Sequence, residues 1–249
     1  MAIRDRNRDE AYFDRFIDAR MCDVQQGIDS IKRGDLYSCT LDGSPEEWAL
    51  SIRYRSHEVM ENLLKSIFAS YSRGDPMPEV EERVRLLLSE LGPLGYVPSI
   101  GREDLCIISL AVLVLDDREL RGIRRAIRPT ASKGRSFWVF DLLLGYDVEG
   151  VEHEPAGEFE EARAVYGAPV PERPAELERQ LSGWYWRMRA YPYWWESHKR
   201  YDRNDRYFGY WAVEYAALAR RLGIDDSALA DAECYPYELA RWLDERRPR

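Results

Sequence analysis

Histidine, cysteine and glycine-rich turns are what this sequence has least of. Its 249 residues include three histidines and four cysteines. None of His57, His153 and His198 lies at ligand spacing from another histidine or a cysteine, which argues against a metalloenzyme and against a structural zinc site. Cys22, Cys39, Cys106 and Cys234 are far apart with no CxxC pair, so they read as free thiols in a reducing compartment and no disulfide framework is expected. There is no GxSxG elbow, P-loop or glycine-rich dinucleotide turn, and neither cofactor nor metal is expected. Long apolar runs are missing as well. The longest, Leu105 to Leu115, has eleven residues interrupted by Ser109, too few to cross a bilayer as a helix. The first ten residues, MAIRDRNRDE, are charged and carry no apolar core of a secretory signal, so a soluble cytoplasmic protein without membrane attachment is expected.

Charge of one sign is what the chain does have. The formal net charge is -9, and the stretch Asp141 to Arg179 holds eleven acidic residues against three basic ones, so it carries nearly all of the excess. A field of this sign repels phosphate and raises the encounter rate with a basic partner. Direct nucleic-acid binding is disfavoured. The bland alternative is that the acidic run is a solvated loop.

The apolar pattern is helical throughout. Tyr12, Phe13, Phe16, Ile17, Val24, Ile28 and Ile31 make one stripe from near Asn7 or Asp9 to Lys32, closed by Gly34. Ser44-Pro45-Glu46-Glu47 is an N-cap, a proline at the first helical position and a carboxylate at the third, opening a second long helix that runs to Gly74. A third spans about 78–91. Leu105 to Leu115 could be a buried strand or a helix apolar on every side; Glu103 and Asp104 at its start, and the lack of a partner strand, favour helix. Further helices are expected over 118–127, around Phe137 to Leu144, over 158–165 and from Pro174 until Pro192 breaks it. GAPVPERP reads as loop. The fold class is therefore all-α, a multi-helix bundle of an N-terminal half, 1–128, and a C-terminal half, 129–249, divided at PTASKG (129–134); short linkers favour one shared core.

Aromatic residues crowd the C-terminal half. Trp184, Tyr185, Trp186, Tyr191, Tyr193, Trp194 and Trp195 fall within twelve residues, a density that serves a core more often than a binding platform. Phe208, Trp211, Tyr215, Leu218 and Leu222 then recur at steps of three and four, predicting one buried helix face closed by Gly223. Asp225 or Asp226 can cap a short helix over 227–230, and the Asp116-Asp117 pair has the same capping reading.

This last region also carries Ser197-His198-Lys199, Tyr207-Phe208-Gly209-Tyr210-Trp211, Gly223-Ile224-Asp225-Asp226-Ser227-Ala228-Leu229 and Tyr235-Pro236-Tyr237. Together these motifs resemble the C-terminal domain of the PoNi family of bacterial immunity proteins. Tyr12-Phe13 and Tyr71-Ser72-Arg73-Gly74-Asp75 resemble the family's N-terminal domain. The chain departs from the pattern at Cys234, where the family has an aromatic, and at Tyr215, where it has a small residue. The resemblance implies a cytoplasmic protein, not an enzyme, that binds and neutralises a cognate PoNe toxin. Such toxins are DNases of the PD-(D/E)xK type used in interbacterial competition, often delivered by type VI secretion.

On that reading Glu152, Glu154, Glu158, Glu160 and Glu161 supply acidic contacts to the nuclease, with Trp186 and Trp194 as anchors. The motif residues Ser197, His198, Lys199, Tyr207, Gly209, Tyr210, Trp211, Gly223, Asp225, Asp226, Tyr235, Pro236 and Tyr237 are expected to maintain the fold. The protein is expected as a monomer or small homo-oligomer. The competing reading is a small-substrate hydrolase using Glu196, His198 and Asp225 in an aromatic-rich cleft. Residues adjacent on a helix point in different directions, so the Ser197-His198-Lys199 step is not by itself a catalytic cluster.

Overall fold

The computed structural model describes residues 3–35, 44–98, 101–129, 137–154, 161–199 and 206–246. Among them are ten α-helices and no strand beyond one isolated bridge between Phe137 and Glu154, so the fold is all-α. No helix of the described residues is long and apolar enough to cross a membrane. The chain forms two compact units, Met1–Val97 with Glu196–Gly209, and Pro98–Trp195 with Tyr210–Arg249.

The first unit is built on α1 (Glu10–Arg33), α2 (Pro45–Arg73) and α3 (Met77–Glu90). Its boundaries follow local chemistry. Asp9 accepts the Tyr12 backbone N–H at 2.7 Å, Ser44 accepts that of Glu47 at 3.2 Å, and Gly34 and Gly74 end their helices at φ of 73° and 96°, which only glycine adopts without strain. Phe13, Phe16, Ile17 and Val24 of the α1 stripe are buried, while Tyr12, Ile28 and Ile31 are half-buried. Over its C-terminal half α2 is buried on nearly every side. Its serines there are satisfied locally, Ser66 Oγ donating to the Leu63 carbonyl and Ser70 Oγ to Asp75.

Tyr207 completes this core from far along the sequence. Its ring is fully buried among Phe13, Phe16 and Tyr12, all met edge-on at centroid distances of 5.3, 5.8 and 6.0 Å. Its hydroxyl donates to Asp5 Oδ2 at 2.7 Å. Each large side chain buried here contributes about 1.5–3 kcal/mol.

In the second unit, α4 (Arg102–Val114) is buried along its whole length and packs on α6 (Trp138–Leu144), α9 (Val213–Leu222) and α10 (Tyr237–Glu245). Its lack of amphipathic periodicity is the signature of that central place. The division expected at 128/129 falls inside this unit, because α4 needs the later helices around it to cover its apolar sides. Residues 130–134 of the expected boundary lie outside the described residues. The remaining helices are α5 (Asp117–Ile123), α7 (Ala162–Gly167) and α8 (Arg173–Arg187).

Asp116 opens α5 with a capping box, accepting from the Arg118 and Glu119 backbones, while Glu119 accepts the Asp116 N–H. The helix ends four residues earlier than expected. GAPVPERP includes a 3-10 turn, Val170–Glu172, that leads directly into α8. The largest departure is at α9. Phe208 and Trp211 precede this helix instead of lying on its face: Gly209 takes φ of 69°, residues 206–212 have no regular secondary structure, and the Ala212 N–H is held by the Cys234 carbonyl at 2.8 Å.

Candidate functional site

The aromatic-rich end of α8 is the most distinctive surface of the second unit. Leu177, Leu181 and Trp184 form the buried face of this helix. Two residues further, about 200° around the helix, Trp186 is 63 % exposed. A 3-10 turn at Met188–Ala190 then bends the chain so that Tyr193, 67 % exposed, also faces outward. Rings pack behind Trp186. Tyr185 meets Tyr210 at 4.6 Å and Trp195 at 4.8 Å, Trp195 meets Trp186 at 5.8 Å, and the Arg189 guanidinium lies 5.9 Å over the Trp186 ring. Trp186 is thus an exposed ring held in place by other rings, an arrangement that loses little entropy when a partner covers it.

Below this ledge lies a buried cation. Arg102, in the first turn of α4, is 4 % exposed and makes a two-pronged ion pair with Glu214 of α9 at 2.6 and 3.1 Å. Trp184 Nε1 donates to the same carboxylate at 2.6 Å. The rings of Trp184, Trp194 and Tyr191 surround the guanidinium at 5.5, 5.6 and 5.9 Å. Burial opposes the charge most strongly, but the Glu214 carboxylate together with the other groups around the guanidinium more than offsets it, and the Arg102 pKa is raised. Trp194 is therefore committed to the interior, 6 % exposed with its Nε1 donating to Glu103 at 3.4 Å. The cavity bounded by Arg102, Glu214, Trp184, Tyr191 and Tyr215 is about 50 Å³. That is room for one or two waters, against about 300 Å³ or more for a metabolite pocket.

A side-chain ion pair ties the acidic segment to the far end of α8. Glu161, just before α7, pairs with Arg187 Nε at 2.7 Å, next in sequence to Trp186. Arg187 also donates to the Gln180 carbonyl and, at 2.8 Å, to the Tyr215 hydroxyl, so the unusual Tyr215 has a partner of its own. Glu152 is exposed and Glu154 half-buried at the bridge to Phe137; Glu158 and Glu160 lie outside the described residues. Tyr193, Arg102 and Glu214 were not among the residues expected to matter. The alternation of Trp184 and Trp186 across α8 was a signal for the ledge, whereas the Arg102–Glu214 pair spans 112 positions and leaves no local pattern.

Most of the described motif residues are buried or hydrogen-bonded within the chain. Ser197 Oγ accepts the Phe208 N–H at 3.3 Å, and Phe208 lies under the Lys65 ammonium at 4.7 Å. His198 is buried and Lys199 exposed; desolvation, reinforced by the nearby Lys199 and Arg8 charges and opposed by Asp5, lowers the His198 pKa to about 4. Tyr210 is buried and Trp211 half-buried. Gly223 ends α9 in the left-handed region at φ of 62°. Asp225 accepts the Ser227 N–H at 3.0 Å at the start of a 3-10 turn, Ser227–Leu229. Asp226 accepts the Tyr235 hydroxyl at 2.6 Å and pairs with Arg241 at 3.0 Å. Pro236 is buried and Tyr237 begins α10. Cys234, in the other unusual position, is half-buried, and burial pushes its thiol up to about 12. Of the trio of the hydrolase reading, Glu196 and His198 belong to the first unit, and Asp225 caps a turn in the second.

No curated protein and no solved structure matches the chain. A family model described as PoNe immunity proteins (PoNi), C-terminal, matches residues 146–239, a span that holds most of the acidic segment, the aromatic ledge and all four motifs. Residues 146–239 are thus similar to the C-terminal domain of the PoNe immunity proteins.

Proposed function

We propose that this protein is an immunity protein that binds and neutralises a PoNe-type DNase toxin in the cytoplasm of the cell that carries both, in interbacterial competition of the kind served by type VI secretion. It works by binding, not catalysis. The observation that supports the siting is the exposed ring of Trp186, backed by other rings and next in sequence to the Arg187 that pairs with Glu161 of the acidic segment, with Tyr193 exposed seven residues on. Large ordered aromatics are the residue types that dominate interface energetics. The acidic charge around them suits the basic groove that a DNase needs for its substrate, with Glu152 and Glu154 as rim charges that speed encounter and select the partner. Glu158 and Glu160 belong to the same acidic run in sequence.

Kinetic binding measurements with the DNase domain test this division of labour. Replacing Glu152, Glu154 and Glu161 by glutamine slows association and flattens its dependence on ionic strength, as screening predicts. An unchanged association rate and salt dependence would place the toxin-facing surface elsewhere.

A further inference from the structure

We propose that the end of α5 and the last turn of α9 form a binding site for a phosphate-class oxyanion, with the guanidiniums of Arg124 and Arg221 as its two walls. Both side chains converge on Gly145, the residue that ends α6. Arg221 Nε donates to the Leu143 carbonyl at 2.9 Å, and a Cβ placed on Gly145 would lie 3.3 Å from Arg221 Nη1. From the end of α5, Arg124 Nη1 donates to the Gly145 carbonyl at 3.4 Å. Gly145 takes φ of 73°, so this corner stays bare: a side chain there would be strained by the backbone and would crowd Arg221. Arg124 is held against the Tyr146 ring at 4.5 Å, with Arg128 4.3 Å from the same ring. Both walls are half-buried.

The charges at this corner do not balance. Arg128 is taken by Asp141 and Arg220 by Asp244, whereas neither Arg124 nor Arg221 pairs with a carboxylate among the described residues. The carbonyls that end α6 offer about half a negative charge against two full positive ones. Asp117, at the start of α5, lies in the field of Arg221 without pairing with it. The Arg221 pKa is accordingly lowered, by burial first; Asp117 opposes this, and Arg220 and Arg124 add to it. Arg102 and Arg128, each bonded to a carboxylate, are shifted the other way. The Nη groups of Arg221 keep their hydrogens for a ligand. Arg118, Arg121 and Arg125, exposed along α5 and the turn after it, raise the local potential further, a basic exception in an acidic chain. A tetrahedral oxyanion presents acceptors in several directions, so it can bridge two guanidinium forks that arrive from different helices. This inference stands apart from the toxin-binding reading.

The test is isothermal titration of the full-length protein with inorganic phosphate, with tripolyphosphate and with a short DNA duplex, in chloride buffer of fixed ionic strength. Tripolyphosphate is expected to bind one to one and more tightly than phosphate, because its further charges reach the field of the exposed arginines. Its affinity falls at least about tenfold in Arg221→Gln and in Arg124→Gln. Arg124→Gln gives up only a long bond to a carbonyl and a ring contact, so it keeps its fold even if Arg221→Gln, which also loses the bond to Leu143, does not. No binding of tripolyphosphate by about 10 mM, or equal affinity in the wild type and Arg124→Gln, overturns the site. The duplex identifies the source of the phosphate. Duplex binding that competes with tripolyphosphate and is lost in Arg124→Gln makes it a nucleic-acid backbone; tripolyphosphate binding without it makes it a free phosphate compound.

Discussion

Arg102 and Glu214 meet across 112 positions to form a buried two-pronged ion pair, and Trp184 donates a third bond to the same carboxylate. The pair links the first turn of α4 to α9 beneath the aromatic ledge. Removing one member strands the other charge in the interior. Arg102→Met is therefore expected to lower stability by about 3–5 kcal/mol. Adding Glu214→Gln, which keeps an acceptor for Trp184, recovers part of that loss. Urea unfolding of the single and double variants checks this. A double variant less stable than Arg102→Met would show that stranding of the charge is not the cause.

Tyr207 lies in a C-terminal motif but belongs to the core of α1 and α2. Tyr207→Phe removes the hydroxyl's bonds to Asp5 and Ser72 and is expected to cost about 1–2 kcal/mol. Tyr207→Ala empties a fully buried position and is expected to cost about 3–5 kcal/mol. Amide exchange reads where the loss falls: α1 and the C-terminal half of α2 open before α4 and α9. Equal acceleration in both units would contradict the assignment of residues 196–209 to the first.

Buried His198 is neutral in the folded protein because desolvation, with Lys199 and Arg8, lowers its pKa to about 4. The unfolded chain takes up the proton nearer the ordinary value of about 6.5. The folded state thus holds an advantage above that value, lost as pH falls toward 4. Wild type should lose about 2 kcal/mol more than His198→Gln between about pH 7 and about pH 4.5. Parallel losses in the two proteins, followed by denaturant unfolding, would show that the ring is not kept neutral.

Helix ends were the most legible part of the sequence, because their chemistry is local. Asp9, Ser44, Gly34 and Gly74 act where their types and spacing place them. The all-α class was legible for a related reason: the apolar run of α4 had no partner strand to pair with. The division into units was not legible, since it depends on Tyr207 and Phe208 leaving one unit to complete another, and a stepwise apolar pattern cannot separate such residues from the helix that follows. For the same reason the periodicity placed Phe208 and Trp211 on α9. At the candidate site, the exposure of Trp186 and the burial of Trp194 differ although composition treats them alike. What separates them is a 3-10 turn and a buried arginine over 80 residues earlier in the chain, and neither is visible in a local window.

The most direct measurement is a DNA-degradation assay in which the toxin's DNase domain is titrated with this protein and with the Trp186→Ala/Tyr193→Ala double variant. Both side chains are largely exposed, so the variant keeps its fold, which thermal unfolding verifies. The account predicts that the wild type blocks cleavage at stoichiometric amounts and that the double variant needs at least about tenfold more, since losing one anchor typically costs over about 1.4 kcal/mol. Equal blocking by the two proteins would contradict the placement of the interface, and cleavage undiminished by excess wild type would contradict the immunity function itself.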